Sequence, residues 1–277
     1  MLCVLQRLST VKTSDFFSSM PIFRRTEFEA HLAQLGPTNP RNITLLLAYH
    51  EREGRLLQVR RGLYAVVPKG TVLPLAQPDL YLLASNLQED AVLAYRSALD
   101  FHQNASPIRS ICTYLTQHTP RTFTFRGTLY RPVHPPAALL RNDREKMGIA
   151  TLEWMTVLIR VTQPERTLVD ILNRPDLCGR WVDIWQDLTC LVAIDLDFVV
   201  RYALALENAT TIARVGYFLE QHRKMVPANE AILRRLEKGK PRSKHYLERS
   251  HRVDAHFIKR WNLVVPDSIW KWNGERT

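Results

Sequence analysis

The segment Gly54–Pro68, GRLLQVRRGLYAVVP, constrains the fold more than any other part of the sequence. It contains two short runs of apolar and strand-forming residues, which Arg60, Arg61 and Gly62 separate. Because glycine adopts a positive φ without strain, Gly62 favours a tight connection between two antiparallel strands. The segment therefore predicts a β-hairpin with two arginines at its turn.

A helical pattern lies directly before this hairpin. Asn39 is a favourable N-cap residue, and Pro40 suits the first helical position. The inward stripe consists of Ile43, Leu46, Leu47 and His50. The opposite face carries Arg41, Thr44, Leu45, Ala48 and Arg52. A helix followed by a short basic hairpin is typical of a winged helix-turn-helix, in which the helix enters the DNA major groove and the hairpin contacts phosphates.

Earlier helices are also expected. Leu2–Leu8 suggests a helical start, and a second short helix is expected near Thr13. Thr26 and Glu29 have the spacing of a capping box, and the helix that they open ends at Gly36. A helix pair ahead of the hairpin strengthens the DNA-binding interpretation.

Two kinds of DNA contact are expected from this arrangement. In the first turn of the recognition helix, Arg41 can hold guanine through two donors, and Asn42 can hold adenine in a similar way. The arginines at the hairpin turn are predicted to clamp phosphates, because a wing tip crosses the DNA backbone. The predicted DNA-binding residues are Arg41, Asn42, Thr44, Leu45, Arg52, Arg60 and Arg61. A solvated helix end beside a purely structural hairpin is the alternative.

The overall charge agrees with a polyanionic partner. The 277 residues carry a formal net charge of +11, and residues 1–70 hold ten Lys and Arg against five Asp and Glu. The four cysteines are far apart and form no CxxC pair, as in reduced thiols of a cytoplasmic protein. No apolar run is long enough to span a membrane, and Met1–Leu8 is too short for a signal peptide.

The remaining pattern predicts a second, larger domain. Residues 1–70 form the predicted DNA-binding domain, the proline-rich residues 71–78 a linker, and residues 79–277 the second domain. Strand-like runs at 108–116, 122–125, 128–133 and 154–161 predict a small antiparallel sheet. From Gly179 onward, four helical stripes predict a bundle. The predicted fold class is α+β, with an N-terminal winged helix followed by this sheet and bundle.

Three local features complete the second domain. Thr162–Glu165 has capping-box spacing, and Arg166 and Asp170 are expected to pair on the surface of the helix that follows. Pro227 is expected to open the last helix of the bundle. Strand-like residues 245–247 and 262–265 are expected to rejoin the small sheet.

A basic stretch near the C-terminus has three interpretations. Its cations are Arg234, Arg235, Lys238, Lys240, Arg242 and Lys244, and several tryptophans follow them. Basic residues mixed with aromatics can bind nucleic acid by counterion release and stacking. They can equally bind an acidic protein partner. A solvated loop beside core tryptophans is the third interpretation.

Signals for catalysis are weak. The sequence has no glycine-rich phosphate loop, no GxSxG and no HExxH. Asp143, Arg144, Glu145 and Lys146 follow the order of some nuclease motifs, but a charged solvated loop is favoured. The nearby histidines at 245, 251 and 256 lack a completing ligand set. We therefore predict no catalytic residue, no metal and no cofactor.

The order of segments resembles the AbiEi-type antitoxins of bacterial type IV toxin–antitoxin systems. The similar segments are FRRTEFEAHLAQL from Phe23, the GRLLQVRRGLYAVVP hairpin, DLYLLASNL from Asp79, AYRSALDFH from Ala94, TQPERTLVDILNRPDL from Thr162 and WNLVVP from Trp261. The RRGLY and PERTLVD motifs are the most specific of these. The resemblance implies an N-terminal winged helix that represses the operon's own promoter, with two copies on an inverted repeat.

The resemblance also implies a C-terminal domain that counters a nucleotidyltransferase-like toxin encoded next door, without the need for a stable complex. The resemblance assigns base recognition to Arg41 and Asn42, and phosphate contact to Arg60 and Arg61. It also places the basic stretch in the antitoxin domain. The expected function is therefore that of an antitoxin and DNA-binding autorepressor involved in abortive infection. Two alternatives remain open: a transcription factor with a ligand-sensing second domain, and a nuclease that docks through its winged helix.

Overall fold

The computed structural model describes residues 13–37, 39–103, 111–191, 193–248 and 254–272. Over these residues, the protein is a mixed structure of helices and three separate small sheets. The helical start expected at Leu2–Leu8 lies outside the described residues.

The N-terminal unit combines three helices with a three-stranded antiparallel sheet. Its elements are α1 (residues 13–19), β1 (Ile22–Arg24), α2 (Arg25–Leu35), α3 (Pro40–Arg52), β2 (Leu56–Arg60) and β3 (Leu63–Val66). The strand order is β1-β3-β2, so the predicted hairpin is present. Arg61 and Gly62 form its turn, where Gly62 has a φ of +76°. A cluster of apolar side chains fills the space between the helices and the sheet: Phe16, Phe23, Phe28, Ile43, Leu47, Leu56 and Tyr64.

The two main helices of this unit differ in how well their starts were predicted. The side chain of Asn39 accepts a hydrogen bond from the backbone N–H of Arg41 at 2.9 Å, as predicted for α3. The capping box of α2 lies two residues earlier than predicted, because the Glu27 carboxylate accepts from the N–H of Arg24 at 2.5 Å. Helix α2 therefore begins at Arg25, directly after β1.

The second sheet has six strands and is mixed, so the prediction of a small antiparallel sheet was wrong. Its strands are β4 (Val92–Leu93), β5 (Ile111–Leu115), β6 (Phe123–Phe125), β7 (Thr128–Val133), β8 (Ile149–Trp154) and β9 (Val157–Thr162). Their order is β6-β7-β5-β4-β9-β8, with β5 parallel to β7 and β4 parallel to β9. The 154–161 run spans a hairpin turn at Met155 and Thr156, which both have positive φ.

Helices pack around this sheet and form most of the rest of the domain. They are α4 (Leu80–Leu87), α5 (Tyr95–His102), α6 (Ala137–Arg141), α7 (Pro164–Asn173), α8 (Trp181–Leu188), α9 (Leu196–Ala205), α10 (Ala209–Gln221), α11 (Glu230–Glu237) and α12 (Asp267–Trp270). Helix α11 begins at Glu230 with Asn229 as its cap, not at Pro227. Asp195 and Asn208 cap α9 and α10.

The tail strands form a third sheet and do not rejoin the second. They are β10 (His245–Tyr246), β11 (Ala255–Ile258) and β12 (Leu263–Pro266), with β12 in the centre. Strand β10 runs parallel to β12, and β11 runs antiparallel to it. The buried Trp261 packs against Gly216 of α10, which anchors this sheet on the helical layer.

The pair formed by Arg166 and Asp170 is buried, which corrects the prediction of a surface pair. Both side chains are fully buried, and Arg166 Nε lies 3.1 Å from Asp170 Oδ2. The hydroxyl of Tyr202 donates to the other oxygen of Asp170 at 2.7 Å. Other elements pack against α7 on several sides. Two residues four positions apart, which often pair on a helix surface, therefore pair inside the core here.

Candidate nucleic-acid interface

The outer face of α3 is open to solvent. Ile43, Leu47 and His50 are buried on its inner side. The exposed residues of the outer side are Arg41, Asn42, Thr44, Leu45, Ala48 and Arg52. Leu45 is 62% exposed, so nothing in the described part of the chain covers the centre of this face. The sequence-predicted recognition surface is therefore accessible along the whole helix.

The polar side chains of this face use only part of their hydrogen-bonding capacity within the protein. The side chains of Arg41 and Asn42 make no hydrogen bond or ion pair to any described residue, and both lie in the first turn of α3. The Thr44 hydroxyl donates back to the carbonyl of Pro40 at 3.1 Å. The guanidinium of Arg52 lies over the Tyr49 ring, 5.8 Å from its centroid. The N-terminal turn thus presents unused donors, while the C-terminal arginine is held against a ring.

The hairpin turn and the start of α3 lie at the same end of the N-terminal unit. The backbone N–H of Arg25 donates to the carbonyl of Gly62 at 2.9 Å. The guanidinium of the same residue reaches the carbonyl of Pro40 at 3.4 Å. Arg25 therefore contacts both the hairpin turn and the first residue of α3. No sequence pattern predicts this role for Arg25, because the link uses its backbone N–H and two backbone carbonyls.

The two arginines of the turn have different surroundings. Arg61 is exposed, and its side chain has no hydrogen-bond or ion-pair partner within the described residues. The guanidinium of Arg60 instead donates to the backbone carbonyl of Leu87 in the second domain. Burial lowers the pKa of the Arg60 guanidinium from its usual value. The expectation of a free phosphate clamp at Arg60 is thus not met in this conformation, whereas Arg61 stands free at the turn.

Arg60 is one of three arginines that converge on the C-terminal end of α4. Arg24 donates to the carbonyl of Asn86 at 3.2 Å and pairs with the carboxylate of Glu89 at 3.0 Å. Arg160 of β9 donates to the carbonyl of Glu89. The last carbonyls of a helix lack intrahelical partners and lie at the negative end of its dipole, so cations are favourable here. Arg24 and Arg60 thus join the N-terminal unit to the second domain, whereas Arg160 links β9 to the end of α4 within the second domain.

The basic C-terminal stretch divides into paired and unpaired cations. Arg235 forms an ion pair with Asp197, and Lys240 lies 3.4 Å from Glu237 and donates to the carbonyl of Arg260. Arg234 is mostly exposed and lies 3.8 Å from Glu230. The exposed cations without an ion-pair partner in the described chain are Lys238, Arg242 and Lys244. The six predicted residues thus do not form one continuous free patch.

The segment with nuclease-like order lines an open cavity. Asp143 and Arg144 face it together with Arg201 and Glu207, and its volume is about 640 Å³. Within the described residues, no three Asp, Glu, His or Cys side chains group as they would around a metal ion. Arg141 pairs with Glu207 at 2.7 Å. The cavity therefore contains mixed charges, some of them already paired.

Comparisons with known proteins establish the fold and nothing further. No protein-family model matches the sequence, and no curated protein matches it. Among solved structures, the RV2827C protein from Mycobacterium tuberculosis has a similar fold, with a TM-score of 0.60 and 19% sequence identity. The match covers 92% of this chain and 90% of that one. Both the N-terminal unit and the second domain therefore fall within an architecture already observed in another protein.

Among the described residues, no helix is both long enough and apolar enough to cross a bilayer.

Proposed function

We propose that this protein is a sequence-specific DNA-binding repressor whose N-terminal unit is a winged helix-turn-helix. In this proposal, α3 is the recognition helix and the β2–β3 hairpin is the wing. The single observation that carries the proposal is the exposed outer face of α3, with the unused donors of Arg41 and Asn42 in its first turn. In such helices, residues near the N-terminal end contact base edges in the major groove, where Arg can hold guanine and Asn can hold adenine.

The element order supports this proposal. The elements follow along the chain in the order α1, β1, α2, α3, β2 and β3, so the hairpin directly follows α3. The strands pair in the order β1-β3-β2. The link through Arg25 holds the turn beside the start of α3, so both can reach one DNA surface. Arg61 supplies a free cation at the turn for a phosphate.

We infer that the biological role is that of an autorepressor and antitoxin of the AbiEi type. This part of the proposal rests on the segment resemblance, including PERTLVD, which forms the buried helix α7. DNA of the protein's own promoter is the proposed ligand of the N-terminal unit. A nucleotidyltransferase-like toxin encoded next door is the proposed target of the second domain, with or without a stable complex, in the cytoplasm.

Two experiments test the two halves of this proposal separately. In fluorescence anisotropy at fixed salt, the protein should bind a duplex from directly upstream of its own gene more tightly than a shuffled duplex. Equal affinity for both duplexes would refute the specific repressor. In a co-expression assay, the adjacent gene should arrest growth alone and this protein should relieve the arrest. An adjacent gene that is harmless would refute the antitoxin role and leave the DNA-binding half standing.

A further inference from the structure

Strand β8 is an uncovered edge of the six-stranded sheet. It lies at one end of the strand order, and no other strand of the described chain pairs with its outer side. Thr151, Leu152 and Glu153 are all exposed, so both faces of the strand are open at its centre. An edge of this kind presents unpaired backbone donors and acceptors to another strand.

This edge lacks the features by which proteins usually block strand pairing, which are very short strands, bulges, proline and lysine. Strand β8 has six residues, IATLEW, and its register with β9 is continuous. The opposite edge of the same sheet, β6, has only three residues. The register of β2, an edge of the N-terminal sheet, is interrupted between Gln58 and Arg60. Of these three edges, β8 is therefore the best suited to pairing.

The backbone groups that face outward belong to Thr151 and Glu153. The N–H of Gln163 donates to the carbonyl of Gly148 across the open end of the β8–β9 hairpin. Hydrogen-bonded pairs alternate along an antiparallel ladder, so every second residue from Gly148 to Trp154 bonds toward β9. Thr151 and Glu153 lie between those residues. Within the described chain, their N–H and C=O groups thus have no partner strand.

We propose that β8 pairs with β8 of a second copy of this chain, antiparallel and centred on Leu152. A two-fold axis at Leu152 places Thr151 of each copy opposite Glu153 of the other, and each of these two pairs exchanges both of its backbone hydrogen bonds. The register thus satisfies every outward group of the two residues. The exposed side chain of Leu152 meets its own copy in the non-hydrogen-bonded pair, where side chains lie closest.

The side chains favour this register over its neighbours. On the face of Leu152, the small Ala150 lies opposite the large, half-buried Trp154 of the other copy. A centre at Glu153 would place the only charged residue of β8 opposite itself, and like charges in that position are destabilising. A centre at Thr151 would move Trp154 opposite Gly148, which precedes the strand. A slip by one residue would bring opposite faces together.

The edge is therefore complementary to itself in hydrogen bonds, side-chain size and charge, and a second copy is the occupant that it favours. Specific interfaces usually bury about 1,200–2,000 Å², and pairing through a single strand lies at the lower end of this range or below it. We therefore expect a dimer that dissociates at micromolar concentrations. It forms without DNA, so this dimer and the proposed DNA-binding function can fail independently.

Sedimentation equilibrium of the full chain without DNA, from about 1 to about 300 μM, measures the dissociation constant of the dimer. Thr151→Pro should raise it at least about tenfold, because it removes an intermolecular N–H donor twice. The variant should keep the thermal transition of the parent, since this N–H faces away from β9 and proline is tolerated at such edge positions. The matched control is Thr124→Pro in the opposite edge strand β6, another exposed threonine, which should change the constant less than about twofold.

Charge substitutions at Thr151 test the register. Thr151→Lys places an ammonium opposite Glu153 of the other copy, twice, and should lower the dissociation constant about threefold. Thr151→Glu places like charges there and should raise it by a similar factor. A monomeric mass at all concentrations would overturn the proposal and leave the edge open to a strand of another protein. Equal effects of Thr124→Pro and Thr151→Pro would overturn it as well, and so would equal weakening by both charge variants, which would place Thr151 opposite its own copy.

Discussion

The guanidinium of Arg60 donates to the backbone carbonyl of Leu87, while its neighbour Arg61 stands free at the hairpin turn. The carbonyl belongs to the last residue of α4, which no hairpin motif in the sequence could have identified as a partner. Arg60 therefore contributes to the contact between the N-terminal unit and the second domain. The two adjacent arginines should therefore respond differently to substitution.

If the hairpin is the wing that we propose, Arg61→Ala removes a phosphate contact. It should then weaken binding to all duplexes alike and reduce the salt dependence of affinity by about one counterion. Arg60→Ala should have the smaller effect on affinity, since its guanidinium already has a partner. Anisotropy titrations at several salt concentrations measure both slopes. If Arg60→Ala flattens the salt dependence and Arg61→Ala does not, then Arg60 leaves Leu87 to contact DNA.

Arg41→Ala should instead change sequence preference. In the proposed function, the exposed side chain of Arg41 in the first turn of α3 holds a guanine, and such a contact is worth about 1–3 kcal/mol of discrimination. The variant should lose affinity for the specific duplex and keep its affinity for the shuffled one. Competition titrations with duplexes substituted at each position measure this. A uniform loss on every duplex would instead make Arg41 a phosphate-binding residue.

The local pattern around α3 was predictable from sequence, because it follows from short-range chemistry. Asn39, Pro40 and the stripe from Ile43 to His50 define the helix start and its buried face without tertiary information. The hairpin was predictable for the same reason, since Gly62 marks its turn. In contrast, the link through Arg25 and the docking of Arg60 use backbone carbonyls, which no side-chain pattern encodes.

The second domain was predicted less well for a related reason. Its sheet pairs strands that are far apart in sequence, as in the parallel pair of β4 and β9. The turn at Met155 and Thr156 has positive φ without Gly or Asn, so the usual hairpin signal is missing. The surface assignment of Arg166 and Asp170 failed because i,i+4 spacing does not report how many neighbours a helix has. Burial of this kind is a property of the whole fold.

Stability of the N-terminal unit should decrease in mild acid because of His50. Its imidazole is fully buried, and burial lowers its pKa from 6.5 to about 4. Between these pH values the unfolded chain binds a proton that the folded chain does not, so the free energy of unfolding falls as the pH falls from about 6.5 to about 4. The shift corresponds to about 3 kcal/mol of stability.

Urea denaturation of wild type and His50→Leu at several pH values between 4 and 7 measures this contribution. The leucine variant should show the smaller loss of stability between pH 7 and pH 4, because leucine does not titrate. The substitution removes no hydrogen bond, because neither ring nitrogen of His50 has a partner among the described residues. His222→Leu is the comparison variant from the second domain: burial also lowers the pKa of this histidine, so its replacement should likewise reduce the loss of stability in acid. If His50→Leu keeps the full pH dependence of the wild type, His50 does not carry it.

Removing one partner of the buried pair should destabilise the second domain strongly. Burial raises the pKa of the Asp170 carboxyl, and Arg166 and the Tyr202 hydroxyl oppose that rise. Arg166 also donates to the carbonyls of Glu145 and Met147 at 2.7 Å, so it holds the segment before β8 against α7. Arg166→Met leaves the carboxylate without its cation and these carbonyls without their donor. We expect a loss of about 3–5 kcal/mol in the free energy of unfolding.

A double-mutant cycle separates the charge from the packing. Asp170→Leu alone should be destabilising, because it leaves the Arg166 charge buried and unmatched. The double variant, Arg166→Met with Asp170→Leu, should be more stable than the sum of the single losses predicts, since it contains no isolated buried charge. Urea denaturation monitored by tryptophan fluorescence reports on this domain, where Trp181 and Trp185 belong to the same core. Additive losses would mean that the two side chains stabilise the fold independently, and that the 3.1 Å contact does not couple them.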